Sequence, residues 1–94
     1  MRVIFAPEAE QDLNSAVAFL ADRGSAAAAQ LVAGVRSLVE HLANADFEGS
    51  QQQLRSGETV RSWPLPPYRL YYQRSSEALR IVRIYHQARR PIAR

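Results

Sequence analysis

The pattern of apolar residues changes from a helical to a strand period along this chain, and this change constrains the fold more than any other feature. From Ala28 to Leu42, apolar side chains recur every three or four residues, which is the spacing of one face of a helix. A shorter stripe of the same kind runs from Ala9 to Leu20. Beyond residue 60 many of the apolar residues are β-branched or aromatic, and they occur in short runs, as in strands. The sequence therefore predicts an α+β domain with its helices ahead of most of its strands.

Two helices are predicted, and the connection between them is very short. Pro7 and the acidic residues after it mark the start of the first helix. Gly24 ends that helix, and Ser25 can cap the second, so the pair should form an antiparallel hairpin. We interpret Glu8 and Asp12, four residues apart, as a solvated helix start and not as an acid–base pair.

Four strands are predicted around this hairpin. The first is Val3–Phe5, and the others cover residues 60–63, 68–74 and 79–86. Residues 46–58 are polar, contain three consecutive glutamines and are predicted to be a loop. Short connections make the last three strands an antiparallel meander. We expect a single domain over residues 1–94 in the order β-α-α-β-β-β, with the helix hairpin packed on one face of a small antiparallel sheet.

Alternation along the strands suggests which side chains face the helices. Tyr68 shares a face with Leu70 and Tyr72, which is the less polar set and the better core candidate. Arg69 is then directed to the opposite, uncovered face of the sheet. By the same alternation His86 lies with Val82 and Ile84, against Ile81, Arg83 and Tyr85.

Composition excludes several classes of site. The chain has no cysteine, which excludes a disulfide scaffold and a cysteine-based zinc site. Its two histidines, His41 and His86, are too few for a metal cluster, so we expect neither a metal nor a cofactor. No apolar run reaches the roughly 20 residues that span a bilayer. Acidic residues follow the short apolar start, which is unlike a signal peptide. We expect a soluble cytoplasmic protein.

Charge is divided unevenly between the two halves of the chain. Residues 1–52 carry three arginines and seven acids, a net charge of −4, whereas residues 53–94 carry nine arginines and two acids, a net charge of +7. All the basic residues are arginine. A basic half in so short a chain points to an anionic partner, either nucleic acid or an acidic protein segment.

Arginines alternate with aromatic residues in the basic half. Such an arrangement can bind phosphates and stack on bases, although each residue could equally be structural. RNA cleavage would need a general base, cationic donors and a general acid, and Arg69, His86, Arg89 and Arg90 could supply them. The candidates for binding a partner or a nucleic acid are Arg61, Trp63, Arg69, Tyr71, Arg83, Arg89 and Arg90.

Three segments, which together cover essentially the whole chain, resemble the RelE/ParE toxins of type II toxin–antitoxin systems. The opening Phe5–Leu13 is similar to the family's strand-to-helix start with its Ala-Glu-x-Asp-Leu pattern. Residues Val60–Tyr72 are similar to its central strand pair, and Leu79–Pro91 to its closing strand with a terminal His-x-x-Arg. The family fold is the same helix hairpin on an antiparallel sheet.

The resemblance implies one of two targets. RelE-like members cut messenger RNA on the ribosome: Arg69 matches a catalytic arginine of that branch, Arg61 its first basic residue, and Arg89 or Arg90 lies near a second arginine. Trp63 stands where another basic residue is expected, and the branch's C-terminal tyrosine has no counterpart. ParE-like members instead bind and inhibit DNA gyrase, and the ending and the long helices favour this branch.

We therefore expect a gyrase-inhibiting toxin without a catalytic site of its own. The resemblance also implies a cognate antitoxin whose acidic, partly disordered segment folds onto the toxin. A ribosome-dependent endoribonuclease is the first alternative. The second is a degenerate member that binds only its partner or operator DNA.

Overall fold

The computed structural model describes residues 1–45 and 48–88 of the chain. Within these residues, two helices precede most of the strands, as the change of apolar period predicts. The elements are β1 (Arg2–Phe5), α1 (Pro7–Ala21), α2 (Ser25–Ala43), β2 (Ser50–Gln53), β3 (Thr59–Leu65), β4 (Tyr68–Arg74) and β5 (Ala78–His86). The expected fold class, a helix hairpin on a small sheet, is confirmed.

Only three residues separate the two helices. Gly24 occupies the position before α2 with a φ of 154°, a positive value that glycine adopts without the clash of a Cβ. The N-cap position belongs to Gly24 and Ser25 is the first residue of α2, so the predicted role of Ser25 as the cap is wrong. The short connection nevertheless gives the hairpin that the sequence predicts, with α1 packed along α2.

The described strands form one sheet in the order β1-β5-β4-β3-β2. Neighbours from β2 to β5 are antiparallel, as predicted for the meander. The sheet as a whole is mixed and not antiparallel, because β1 runs parallel to β5.

The sheet departs from the prediction in two ways: it has a fifth strand, β2, and β1 is parallel to β5. The additional strand β2 explains both differences. Residues 46–58 are predicted to be a loop, yet Ser50–Gln53 pair with β3. The polar sequence of β2 lacks the β-branched and aromatic residues that mark a strand. Its extended conformation is therefore stabilised by pairing with β3 and not by its own strand propensity. Each connection reverses the chain direction, so one additional strand turns β5 from antiparallel to parallel with β1.

The main core lies between the helix hairpin and one face of the sheet. From the sheet it takes Tyr68, Leu70 and Tyr72, so the predicted face of β4 is confirmed. Helix α2 contributes its buried stripe, which includes Leu31, Val35, Leu38 and Leu42. Tyr72, Leu70 and Leu42 are completely enclosed. Burial of apolar area on this scale is the dominant favourable term in folding.

A register shift interrupts the alternation of β5. Tyr71 pairs with Arg83, but its neighbour Tyr72 pairs with Ile81, which leaves Val82 as the extra residue of a β-bulge. Ile81 and Ile84 therefore both reach the main core, while Val82 lies on the opposite face. The strict alternation predicted for this strand, with Ile81 opposed to Ile84, is wrong for that reason.

Candidate functional site

The sheet face opposite the helices carries a second, smaller group of side chains, which we call the open face. Its centre is apolar, and its rim is formed by arginines from three segments. The apolar residues are Leu54, Val60, Tyr71 and Val82, with Tyr85 packed against them. The arginines are Arg55 after β2, Arg69 on β4 and Arg80 on β5. The side chains on the open face thus pack against one another and bury a small apolar cluster.

Arg69 lies on the open face, as alternation predicts. Its Nη1 donates a hydrogen bond of 2.8 Å to Oγ of Ser62 on β3, a residue that is 1% exposed. The backbone of Arg69 pairs with that of Tyr85. Since only one of its five N–H groups is used in this bond, the half-buried guanidinium keeps donors for an anionic group.

Tyr71 stands beside Arg69 in the buried centre of the open face. Burial raises the pKa of its phenol, and the positive charge of Arg69 acts in the opposite direction. Tyr71 is therefore a neutral phenol at physiological pH. Because Tyr71 is only 7% exposed, its ring mainly packs against the apolar centre of the open face, and the adjacent Arg69 is the more accessible group.

A cavity of about 400 Å³ lies at the Arg80 end of the open face. Leu54 and Val82 contribute apolar surface to it. Its charged lining consists of Arg55, Arg80, Arg83, Glu8 and Glu58. Arg80 reaches Glu58 through a 3.5 Å contact, and both side chains are more than one-third exposed, so this pair contributes little to stability. The cavity thus combines an apolar surface with charged side chains of both signs.

Arg83 borders this cavity, but its guanidinium is already engaged. Nε donates to Oδ2 of Asp12 at 2.7 Å and Nη2 donates to Oδ1 at 3.0 Å, a two-bond fork. The same Oδ2 accepts the backbone N–H of Ile84 at 3.0 Å. These bonds to Asp12 raise the pKa of Arg83 further. The Arg83–Asp12 pair therefore links α1 to the bulged strand β5. The prediction that Asp12 is solvated is wrong, because its side chain is 14% exposed.

His86 and Trp63 lie on the helix side of the sheet. The His86 ring meets the Tyr68 ring edge-on at 5.1 Å, and its Nδ1 accepts the N–H of Ala88 at 3.0 Å. Trp63 packs against the main core. The sheet thus separates His86 from Arg69, and the two do not share a site. His86 shares the core face with Ile84, as predicted, but the prediction that Val82 lies on the same face is wrong because of the bulge.

The remaining candidates from the sequence lie away from the open face or beyond the described residues. Arg61 lies near the β2 edge, where its Nη1 donates a 2.8 Å hydrogen bond to the carbonyl of Gly49. Arg89 and Arg90 lie outside the described residues. Sequence reasoning missed Arg55 and Arg80 as lining residues of the open-face cavity. For Arg80 the signal was present, since it stands between two buried residues of a strand and must face away from the core.

Two other kinds of site are absent from the part of the chain that the structure describes. Within residues 1–45 and 48–88, no three histidine, aspartate or glutamate side chains group as a metal ion would require. In the same part of the chain, neither helix is long and apolar enough to cross a membrane.

Comparison with known proteins finds a family that matches this chain. The family model described as the ParE toxin of the type II toxin–antitoxin system, parDE, matches residues 3–91. The chain belongs to the ParE toxin family. The resemblance drawn from the sequence motifs is thereby confirmed, on the ParE side of the RelE/ParE group.

A solved structure supports the fold of this ParE-family chain. It is described as the chromosomal ParDE TA system from P. aeruginosa, and it superposes with a TM-score of 0.70 at 19% sequence identity. The match covers 92% of this chain and 95% of the other, so the likeness extends over nearly all of both chains. No curated protein matches the chain significantly.

Proposed function

We propose that this chain is a toxin that inhibits DNA gyrase by binding to it, and that a cognate antitoxin holds it inactive in the cytoplasm. The observation that carries the proposal is the ParE family match over residues 3–91. Inhibition by binding requires a surface and no catalytic group. The arginine rim of the open face and the partly exposed Tyr85 supply the groups for such a surface, over an apolar centre whose residues are themselves 2–7% exposed.

The positions of the candidate residues favour binding over RNA cleavage. Arg69 and His86 would have to act on one phosphodiester, yet they lie on opposite faces of the sheet. Arg83, which could have replaced His86 on the Arg69 side as a cation, is held by Asp12 through two bonds. An arrangement for general acid–base catalysis needs its groups within hydrogen-bond reach of the same substrate.

The antitoxin is the second partner in this proposal. An acidic, amphipathic segment would match the open-face cavity, with its apolar residues on Leu54 and Val82 and its carboxylates near Arg55 and Arg80. Since Arg80 is held only by weak exposed contacts, it is available to such a segment at little cost.

Induced expression in bacteria, without the antitoxin, tests the proposal. The expected result is filamentation with a DNA-damage response, reversed by co-expression of the protein encoded next to the toxin. Rapid arrest of translation with cuts at defined codons would instead establish the endoribonuclease. Absence of any growth effect from a verified, expressed chain would indicate a degenerate member that only binds.

The variant Arg69→Ala shows whether the open face carries the activity. We expect reduced toxicity, with the folded state and antitoxin binding retained, because Arg69 contributes one hydrogen bond to Ser62 and no part of the main core. Arg36→Ala, which removes an exposed arginine from α2, is the matched control and should remain fully toxic. Equal toxicity of the two variants would exclude Arg69 from the gyrase interface.

A further inference from the structure

A largely enclosed arginine at the end of β4, Arg74, lacks the hydrogen bonds that such a group normally makes. The side chain of Arg74 is 15% exposed, and its three guanidinium nitrogens are enclosed. Among the described residues, none accepts a hydrogen bond of good geometry from any of these nitrogens. Tyr72 is the nearest partner besides Glu48, since the Arg74 Cζ lies 6.0 Å from the centre of its ring and Arg74 acts to lower the pKa of its phenol. A buried donor without an acceptor costs about 1–3 kcal/mol, and more when it is charged. Such a group is expected to have an acceptor in at least one functional state of the protein.

Glu48 is the charged neighbour of this guanidinium, but it serves several groups with one oxygen. Its Oε1 lies 3.2 Å from Nη2 of Arg74, close enough for an ion pair but without hydrogen-bond alignment. The same oxygen accepts the Tyr72 hydroxyl at 3.2 Å and lies 4.0 Å from Nε of Arg61. Two guanidinium groups thus face one carboxylate. The Glu48 side chain is 47% exposed, so its hold on the site is weak.

A cavity of about 490 Å³ gives access to this cluster. It lies toward the β2 edge of the sheet and shares no lining residue with the open-face cavity. The residues that add polar groups to its lining are Gln51, Thr59 and Gln73, beside Glu48, Arg61, Tyr72 and Arg74. The two guanidinium groups offer fork-shaped sets of donors, which match the two oxygens of a carboxylate.

We propose that Arg74 and Arg61 form a binding site for a carboxylate side chain of an acidic protein partner, and that Glu48 is its displaceable internal occupant. The site already accepts a carboxylate, although in a position that leaves the Arg74 donors unused. A carboxylate from outside would align with these donors, and Glu48 would move to solvent. Strand β2 is the last strand of the described sheet, so the partner's main chain has room to lie along this edge.

Anion titrations of the folded protein test this site without knowledge of the partner. The probe is sodium acetate, with sodium chloride at equal ionic strength as the reference. The readouts are the thermal midpoint and the side-chain Nε–H resonance of Arg74. Acetate is expected to stabilise the protein more than chloride does and to shift this resonance. Chloride and acetate acting equally would overturn the proposal.

The variant Glu48→Gln separates a displaceable occupant from a purely structural ion pair. We expect it to bind acetate about two- to fivefold more tightly than the original chain, since the competing ion pair is worth less than about 1 kcal/mol. A structural role alone predicts lower stability and no gain in acetate binding. That result would contradict the proposal.

Two arginine variants locate the binding. Arg74→Gln should abolish the acetate effect, and Arg61→Gln, which removes a half-exposed side chain, should weaken it even if Arg74→Gln fails to fold. Arg36→Gln on the surface of α2 is the charge-matched control and should bind acetate normally. Full acetate binding by Arg61→Gln, or tighter binding of inorganic phosphate than of acetate by the original chain, would overturn the carboxylate assignment.

Discussion

Asp12 shows how one side chain can connect the two halves of this small domain. It lies on α1 but accepts three hydrogen bonds from β5, two from the Arg83 guanidinium and one from the Ile84 backbone. The bulge at Val82 shifts the pairing of β5 just before this point, and Asp12 supplies the acceptor for Ile84. The aspartate of the Ala-Glu-x-Asp-Leu pattern therefore has a structural explanation in this chain.

Removal of this carboxylate should be costly. We expect Asp12→Ala to lower the free energy of unfolding by about 2–3 kcal/mol, because it leaves a partly buried guanidinium and a backbone N–H unpaired. Glu10→Ala, which removes an exposed acid from the same helix, should change it by less than about 0.5 kcal/mol. Urea denaturation measures both. Similar changes in the free energy of unfolding for the two variants would show that the Asp12–Arg83 pair makes no net contribution to stability.

Tyr72 should make stability depend on pH in the alkaline range. Burial raises the pKa of its phenol above the ordinary value of 10.0, with the neighbouring Glu48 carboxylate adding to the rise and the Gly49 N–H opposing it. The folded state then holds its proton at a pH where the unfolded chain has lost it. Stability is therefore fully present below about pH 10 and falls as the pH rises further, by at most about 1.4 kcal/mol per pH unit for this group.

The variant Tyr72→Phe isolates this contribution. It should be less stable at neutral pH, because the phenol accepts the Gly49 N–H at 2.7 Å and donates to Glu48. Its stability should also decrease less steeply between about pH 10 and 11 than that of the original chain. Tyr71, whose pKa is raised by burial as well, is present in both chains and does not account for a difference between them. Parallel stability curves would mean that Tyr72 is not the group responsible.

At the scale of elements, the sequence predicted what apolar periodicity encodes and failed where tertiary contacts decide. The helix hairpin, strands β1, β3, β4 and β5, and the core face of β4 all follow from spacing and residue type. Strand β2 consists of Ser50 and three glutamines, and its pairing with β3 has no local signal. The bulge in β5 likewise has no local sequence signal, because it depends on the register of β5 with β4.

The same limit applies to the site. Alternation alone placed Arg69 correctly, and it placed His86 with Ile84 but not with Val82, whereas the partners of the arginines depend on distant residues. Arg83 meets Asp12 across 71 positions of sequence, and Arg74 meets Glu48 across the β2–β3–β4 pairing. Charge segregation identified the basic half of the chain but not which arginines remain available.

Gly49 gives the clearest test of how β2 is attached. A Cβ at this position would lie 2.0 Å from the carbonyl oxygen of Ser62, so only glycine allows β2 to approach β3 this closely. We expect Gly49→Ala to lower the free energy of unfolding by about 2–3 kcal/mol, since the obstacle is backbone and cannot rotate away. The neighbouring Ser50→Ala, at an exposed position, should change it by less than about 0.5 kcal/mol. Equal effects in denaturation experiments would contradict this close approach of the two strands.

At the scale of the whole molecule, part of the opposite charge of the two halves is used internally. Acids of the first half pair with arginines of the second, as Asp12 does with Arg83 and Glu48 with Arg74. The remaining positive charge includes Arg55, Arg69 and the weakly held Arg80 on the open face. This surface is where we expect macromolecular partners, and family membership makes gyrase and an antitoxin the proposed ones.

A supercoiling assay with purified gyrase decides whether this chain acts on that enzyme. We expect the folded chain to inhibit supercoiling, Arg69→Ala to inhibit less at equal concentration, and addition of the antitoxin to restore the reaction. Gyrase that supercoils DNA at its full rate in the presence of folded, antitoxin-free protein would contradict the proposed function, and cleavage of mRNA on ribosomes by the same preparation would replace it.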